Sequence, residues 1–257
     1  MAKNLLVDMK DVQFVLYEML KIHDLAHFEK FSGYDREIFQ DTLNLAEKIA
    51  WDKMYPVDAQ GDEEGVSYDP KTMSVTVPEY FHEPYRSMTG AGFISISDST
   101  DLGGMGMPQS VSVACKEFFG AANAALSFCT LLTGSAAGLI RRFGTEEQKG
   151  LYLDKMLKGI WGGTMCLTEP GAGSDVGNMR TRAIPTPDGS YHIEGQKIFI
   201  SSGEHNLTEN IIHMVLARIE GAPSGTRGLS LFVVPKYLVR QDGSLAGRNG
   251  VFCRGVE

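Results

Sequence analysis

Residues 165–175 decide the fold, and they read Met165-Cys166-Leu167-Thr168-Glu169-Pro170-Gly171-Ala172-Gly173-Ser174-Asp175. The stretch begins with apolar residues typical of a strand and continues into a glycine-rich turn. Gly171 and Gly173 allow the backbone to approach a ligand closely and to present N–H groups to it. Thr168 and Ser174 add hydroxyl groups to the turn. Such a turn suits a flat heterocycle carrying a phosphate, although an ordinary polar turn with capping hydroxyls has the same composition.

The residues before this stretch are predicted to be helical. Apolar side chains recur at helical spacing over residues 12–20 and 36–54, where Phe39, Leu43 and Ala46 share one stripe. Further helices are predicted over residues 78–89, 109–143 (with a break at 120–123) and 145–157. The last of these begins with a capping box. Residues 58–69 and 103–107 are predicted to be loops, and Gly144 is predicted to end a helix in the left-handed conformation.

The residues after 160 follow the pattern of a β domain. Strands are predicted over residues 163–168, 181–185, 191–193, 197–201, 211–219, 229–235 and 251–253. Their short links favour antiparallel pairing. We therefore predict an α+β protein, with an all-α N-terminal domain over 1–160 and an antiparallel β domain over 161–257. Because the last predicted strand lies close to Glu257, we interpret the β domain as incomplete and the chain as a fragment.

The composition of the 257 residues excludes several classes of function. With 32 acidic and 24 basic residues the net charge is -8, which argues against a nucleic-acid partner. No apolar run approaches the roughly 20 residues of a membrane span. Four widely spaced cysteines without a Cys-x-x-Cys pair suit a reducing compartment better than disulfides or zinc. These observations predict a soluble cytoplasmic protein without a membrane span.

The string at 168–175 closely resembles the signature of the acyl-CoA dehydrogenase family. Residues 143–149 before it and 195–203 after it resemble the segments that flank the signature in that family, in the same order and at similar spacing. Residues 103–106 are similar to a loop before one of its helices. Residues 11–18 and 203–210 resemble a longer bacterial branch, which includes 3-methylmercaptopropionyl-CoA dehydrogenase-like enzymes.

The resemblance implies that FAD is the cofactor and that two stretches of this chain line it. The positions that match the family's flavin-lining residues are Met165, Cys166, Leu167, Thr168, Gly173, Ser174, Phe199, Ile200 and Ser201. Ser174 would also lie near the bound thioester substrate. The chain departs from the common pattern at Phe199, where the family often has Trp, and at Ser201, where it often has Thr. Met165 replaces a common aromatic residue.

The resemblance also implies the reaction and its partners. A flavin-dependent oxidoreductase of this family removes hydrogen across the α,β bond of an acyl-CoA and forms a trans-2-enoyl-CoA, a step of fatty acid metabolism. Its members form homodimers or homotetramers and pass electrons to an electron-transfer flavoprotein. The catalytic base in the family is a glutamate of a C-terminal helical domain, and we interpret this chain as stopping before that domain. No catalytic residue is therefore assigned, and Glu169 is expected to be structural.

Two alternatives to this function remain open from the sequence. The first is an acyl-CoA oxidase or a flavin monooxygenase on the same scaffold. The second is a non-catalytic fragment or partner subunit that contributes half of a flavin site.

Several other residues are candidates for binding, each with a simpler interpretation. His23 and His27 have the spacing of a shared metal site but lack a third ligand nearby, so an exposed helix face is favoured and no metal is predicted. Glu204 and His205 could bind substrate or cofactor, although a structural hydrogen bond is favoured. Arg141, with Arg142, could contact CoA phosphates or form a solvated helix end.

Overall fold

The computed structural model describes residues 6–256, and the first part of this range is helical. Its α-helices are α1 (Met9–Gln13), α2 (Arg36–Ile49), α3 (Asp58–Glu64), α4 (His82–Gly90), α5 (Gln109–Ala122), α6 (Ala124–Phe143) and α7 (Glu146–Leu157). Turns of π-helix follow α1 and α2, at Phe14–Met19 and Ala50–Met54. Residue 257, with which the predicted β domain ends, lies outside the described range.

The strands lie mainly in the second part of the chain. They are β1 (Ser67–Asp69), β2 (Ser74–Thr76), β3 (Trp161–Cys166), β4 (Arg182–Pro185), β5 (Tyr191–Glu194), β6 (Asn210–Ile219), β7 (Leu229–Pro235), β8 (Tyr237–Val239) and β9 (Leu245–Arg248). In the main sheet, β6 pairs in parallel with β3 and β4 and antiparallel with β7. Strand β5 pairs antiparallel with β4. The pairs β1–β2 and β8–β9 are separate.

The predicted α+β class is confirmed, but the main sheet is mixed rather than antiparallel. Strand β3 pairs with β6, and residues 167–209 lie between them. That length of chain is sufficient to return to the same edge in the same direction. The prediction of antiparallel pairing considered only links between successive strands and missed this pairing.

Some predicted elements are wrong. Residues 58–69 form α3 and β1 instead of a loop. Gly61 of α3 lies directly against the Phe81 ring, where a Cβ atom would clash, so tertiary packing fixes this helix. Gly144 ends α6 with an extended backbone (φ −69°, ψ 155°) rather than a left-handed one. Residues 197–201 and 251–253 form no strand.

Helix α6 joins the two hydrophobic cores of the molecule. One core contains the α2 stripe, with Phe39 and Leu43 fully buried, and also Leu126 near the start of α6. The other lies between α6, α7 and the sheet, and contains Ala136 and Trp161. Each large side chain buried in this way contributes about 2 kcal/mol. The helical part and the β part are therefore packed on one shared helix.

The same helix is, by length and composition alone, apolar enough to cross a membrane. Helices of globular cores pass the same test, and α6 packs against β3 and α7. These contacts favour a packed helix of the fold.

The predicted capping box at the start of α7 is confirmed. The Gln148 N–H donates to Thr145 Oγ1 (3.2 Å), and the Thr145 N–H donates to Gln148 Oε1 (3.0 Å). We expect Thr145→Ala to lower the free energy of unfolding by about 1 kcal/mol, because one helix N–H loses its partner. Urea denaturation measures this change, and Thr145→Ser, which keeps the hydroxyl, is the control. An alanine variant as stable as the serine variant would contradict the prediction.

Candidate functional site

The glycine-rich stretch leaves the end of β3 as a closed turn. After Cys166 the chain leaves the sheet, and Glu169 and Ala172 then exchange two backbone hydrogen bonds, of 2.9 and 3.1 Å. Pro170 and Gly171 occupy the two central positions, where proline and glycine are favoured. The turn therefore has a fixed shape at the edge of the sheet.

The Glu169 carboxylate fixes this turn to its surroundings through buried hydrogen bonds. It is 6% exposed and accepts hydrogen bonds from the Lys197 ammonium (2.8 Å), the Arg180 N–H (2.6 Å) and the Thr181 N–H (3.0 Å). Burial raises the pKa of Glu169, but these hydrogen bonds outweigh it and lower the pKa to about 2. A carboxylate with so low a pKa and with its oxygens occupied is poorly suited to accept a proton from a substrate. The geometry agrees with a structural role.

The two stretches that were predicted to line a flavin lie side by side. The Ile198 N–H donates to the Thr168 carbonyl oxygen (2.9 Å), and the Lys197 ammonium donates to the Leu167 carbonyl oxygen (2.9 Å). Lys197 also pairs with Glu169, so one side chain connects both stretches. The structure thus brings residues 165–169 and 197–201 together.

Phe199 is the most unusual residue of the second stretch. Its ring is 69% exposed, although it lies beside an anchored turn, and its backbone is left-handed with φ 56°. A left-handed backbone is uncommon for a bulky residue and persists only where the surroundings enforce it. Ser201, two residues later, is also exposed. The stretch therefore presents an aromatic ring and a hydroxyl to solvent.

Space is open around the glycines of the first stretch. A Cβ atom added to Gly171 would meet nothing within 4 Å, and one added to Gly173 would meet only the Thr168 Cγ2 at 3.7 Å. Neither glycine has a positive φ, so neither backbone conformation requires glycine. Ser174 is exposed and Thr168 half-buried. Open space beside hydroxyls and backbone N–H groups suits a bound phosphate or ring.

The side chains at the end of β3 face the interior. Cys166 is buried, and its Sγ lies 3.3 Å from Thr164 Oγ1 and 3.8 Å from His213 Nδ1. Burial raises the pKa of the Cys166 thiol, so it is a packed thiol rather than a nucleophile. Met165 is half-buried against the core that contains Trp161. Because successive side chains of a strand point to opposite faces, a ligand would meet the backbone of both residues only along the free edge of β3.

Several contacts of the site were missed by sequence reasoning. The sequence predicts Lys197 in a strand without a partner, whereas its side chain is largely buried and pairs with Glu169. The Cys129–Ser202 contact (3.1 Å) gave no sequence signal. For Glu204 a structural hydrogen bond was favoured, but not the pairing with Lys236 and Arg248.

The remaining candidate residues make surface or structural contacts. His23 lies 3.6 Å from Asp24 on the surface, and within residues 6–256 no cluster of three or more His, Cys, Asp or Glu residues could hold a metal. His205 accepts a hydrogen bond at Nδ1 from the Leu207 N–H (3.2 Å), as a structural role requires. Arg141 pairs with Asp98.

Comparison with known proteins identifies the class of this fold and site. Residues 43–160 match the model of the acyl-CoA dehydrogenase N-terminal domain, and residues 164–251 match the model of its middle domain. An acyl-CoA dehydrogenase structure from Geobacillus kaustophilus has a TM-score of 0.64 and 27% identity, and covers 78% of this chain and 48% of its own. The chain belongs to the acyl-CoA dehydrogenase family.

Two curated relatives are more similar in sequence. The 3-methylmercaptopropionyl-CoA dehydrogenase of Ruegeria pomeroyi is 38% identical over 96% of this chain and 42% of its own length. A broad-specificity linear acyl-CoA dehydrogenase of Mycobacterium tuberculosis is 41% identical over 97% of this chain and 41% of its own length. The first of these agrees with the predicted bacterial branch. The chain thus spans less than half the length of the relatives it matches.

Proposed function

We propose that this chain contributes a flavin-binding part of an FAD-dependent acyl-CoA dehydrogenase. The proposed parts are a helical domain over 1–160 and a β domain over 161–257. The two family models, which match residues 43–160 and 164–251, support a division near residue 160. The bound FAD would accept the hydride that leaves the β-carbon of the acyl-CoA. The product would be a trans-2-enoyl-CoA.

One observation carries this proposal, namely the adjacency of the two stretches. The hydrogen bond from the Ile198 N–H to the Thr168 carbonyl oxygen places exposed Phe199 beside the open glycine turn. An exposed aromatic ring held by a left-handed backbone suits stacking on a planar cofactor. The hydroxyls of Thr168 and Ser201 would contact the ring, and Ser174 would bind a phosphate and lie near the thioester.

Some of the proposed contacts to the flavin would be made by side chains and others by the backbone. Met165 and Cys166, whose side chains pack inward, would act through their backbone, as would Leu167, Ile200 and Gly173. We assign no catalytic base, and Glu169 in particular is unsuited to that role, because its buried carboxylate already accepts hydrogen bonds from three donors. Membership of the family implies acyl-CoA as substrate, an electron-transfer flavoprotein as acceptor and assembly into a homodimer or homotetramer.

We also propose a cytoplasmic location. The four cysteines are free thiols, which supports it: residues 115, 129, 166 and 253.

Titration of the purified chain with FAD tests the cofactor site. We expect saturable binding, and the quenching of flavin fluorescence measures it. Phe199→Ala is expected to weaken the affinity by roughly 3- to 10-fold, because aromatic stacking contributes about 1 kcal/mol. Phe143→Ala is the matched control, since Phe143 is an equally exposed phenylalanine (72%) at the end of α6. Absence of binding, or equal loss in both variants, would contradict the proposed site.

Anaerobic addition of acyl-CoAs to the flavin-loaded chain tests the activity. Because no base is assigned within the described residues, we expect flavin to be retained without bleaching of its visible absorption. Bleaching by an acyl-CoA would show that a residue of this chain serves as the base. If bleaching occurs, oxygen is then admitted, and rapid reoxidation of the reduced flavin would favour the oxidase alternative.

A further inference from the structure

We propose that three sets of side-chain contacts, which we call tethers, hold residues 199–206 in a strained turn whose conformation suits flavin binding. Glu204 is the principal positioning residue of this turn. This inference depends on the proposed flavin site, because it concerns the segment that carries Phe199 and Ser201. The tethers come from β7–β9, from α6 and from the chain before α4. Each of them is formed by residues outside the stretches that would touch the cofactor.

The strain is located at two residues of the turn. Phe199 and Ser202 both have φ 56°, in the left-handed region that glycine adopts readily and other residues do not. A non-glycine residue is strained in this region and stays there only where its surroundings hold it. With two such residues, the free turn would relax toward extended or right-handed backbone. The position of the Phe199 ring therefore depends on what holds the turn.

Glu204 provides the strongest tether. Its side chain is 3% exposed, and its carboxylate contacts both the Lys236 ammonium and the Arg248 guanidinium, the latter at 3.0 Å. The Lys236 ammonium also donates to the His205 carbonyl oxygen (3.3 Å). Lys236 lies between β7 and β8, and Arg248 ends β9, which pairs with β8, so the carboxylate binds the turn to the β8–β9 hairpin. Charge-assisted hydrogen bonds of this kind are stronger than neutral ones.

The other two tethers connect the turn to the helical part. Cys129 of α6 lies 3.1 Å from the Ser202 hydroxyl, with the thiol or the hydroxyl as donor. The Asn206 side-chain oxygen accepts from the Val77 N–H (2.9 Å). Ser202 is one of the two strained residues, so the Cys129 contact acts directly where the strain lies. The turn is thus held at its middle and at its end.

Stability alone does not explain this arrangement. Buried ion pairs contribute little net stability compared with apolar residues of similar size, because both charges lose their hydration. The Arg248 Nε is also buried without a hydrogen-bond partner in the described structure, which adds a further cost. What the network does provide is a single conformation for a turn that would otherwise relax. A preorganised shell of this kind improves binding because the ordering is complete before the ligand arrives.

Two measurements on the purified chain test the inference. The rate of amide hydrogen exchange over residues 198–206 measures how firmly the turn is held without cofactor. FAD titration measures how the dissociation constant depends on that order. For Glu204→Gln we expect exchange in this segment to rise by about tenfold and the FAD dissociation constant to rise on the order of tenfold. Glu194→Gln is the matched control, because Glu194 pairs with Arg182 on the surface of the same domain, at 58% exposure. It is expected to change neither quantity.

Variants at Cys129 provide an independent test that keeps the buried charges intact. Cys129→Ala removes the contact to Ser202 and is expected to raise exchange in residues 198–206 several-fold and to weaken FAD binding. Cys129→Ser keeps a group that can hydrogen-bond and is expected to restore both. This rescue would not occur if Cys129 only filled space.

The outcomes separate this inference from the proposed function. If the wild-type chain binds FAD and Glu204→Gln loosens the turn without weakening FAD binding, the positioning role is overturned while the flavin site stands. If the wild-type chain does not bind FAD, the flavin site is overturned, although exchange data still report the tethers. Unchanged exchange in both Glu204→Gln and Cys129→Ala would show that the tethers do not hold the turn.

Discussion

Acidification from pH 6.5 to pH 4 is expected to destabilise the folded chain by several kcal/mol, because two buried histidines must stay neutral in it. His213 of β6 is 4% exposed and hydrogen-bonds Thr164 of β3 (2.8 Å), while His205 is 5% exposed. Burial lowers the pKa of His213 to about 4, assisted by the charges of Lys236 and Arg248. Burial also lowers the pKa of His205 to about 4, assisted by Lys236 and by the neighbouring histidines 213 and 82.

The direction follows from the number of protons bound by each state. Between pH 6.5 and pH 4 both histidines are protonated in the unfolded chain and largely neutral in the folded chain. The unfolded state therefore binds more protons, so stability is greatest above pH 6.5 and falls as the pH approaches the folded pKa. Each histidine contributes on the order of 3 kcal/mol across this window. Near pH 5 the slope is expected to be about 2 kcal/mol per pH unit.

Urea denaturation at pH 7, 6 and 5 measures this slope above the range in which most carboxylates titrate. His213→Gln is expected to reduce the slope to about half, because one of the two titrating groups is removed. His192→Gln is the control, since His192 is exposed on β5. A slope near zero in the wild-type chain, or a slope that His213→Gln leaves unchanged, would refute the assignment to these histidines.

The elements with local signals were predicted well from the sequence. The stripe of Phe39, Leu43 and Ala46 on α2 and the capping box at Thr145 are determined within one or two helical turns, and both are present. The sequence predicts a break between α5 and α6 at residues 120–123, and the structure has it at Asn123. In each case the residues that determine the element are neighbours in sequence.

Elements that depend on distant partners were not predicted. Residues 197–201 have the composition of a strand. No strand forms, because Lys197 forms an ion pair with Glu169 and Phe199 adopts a left-handed backbone. The parallel pairing of β3 with β6 depends equally on residues far apart in sequence. For the candidate site, the motif located both stretches, whereas the contacts between them required the structure. The predicted roles of the nine flavin-lining residues remain predictions.

Lys197→Met is expected to lower the free energy of unfolding by about 3 to 5 kcal/mol, because it leaves the buried carboxylate of Glu169 without its countercharge. Lys197 is the only charged side chain that hydrogen-bonds Glu169 in the described structure, and the two backbone N–H donors do not neutralise the charge. The side chains are 10% and 6% exposed, so water cannot take the place of lysine. The variant also loses the bond from the ammonium to the Leu167 carbonyl oxygen.

The double variant Glu169→Gln/Lys197→Met distinguishes an unpaired charge from lost packing. Removing both charges is expected to recover part of the stability lost in Lys197→Met, since a neutral amide oxygen can still accept from the Arg180 and Thr181 N–H groups. Lys48→Met serves as the surface control, because Lys48 pairs with Asp52 (2.8 Å) at 74% exposure and such exposed pairs contribute little to stability. Urea denaturation at pH 7 measures all three variants. If Lys197→Met cost no more than Lys48→Met, the carboxylate would not need its partner, and the connection between the two stretches of the site would have to lie in the backbone hydrogen bond from Ile198 to Thr168.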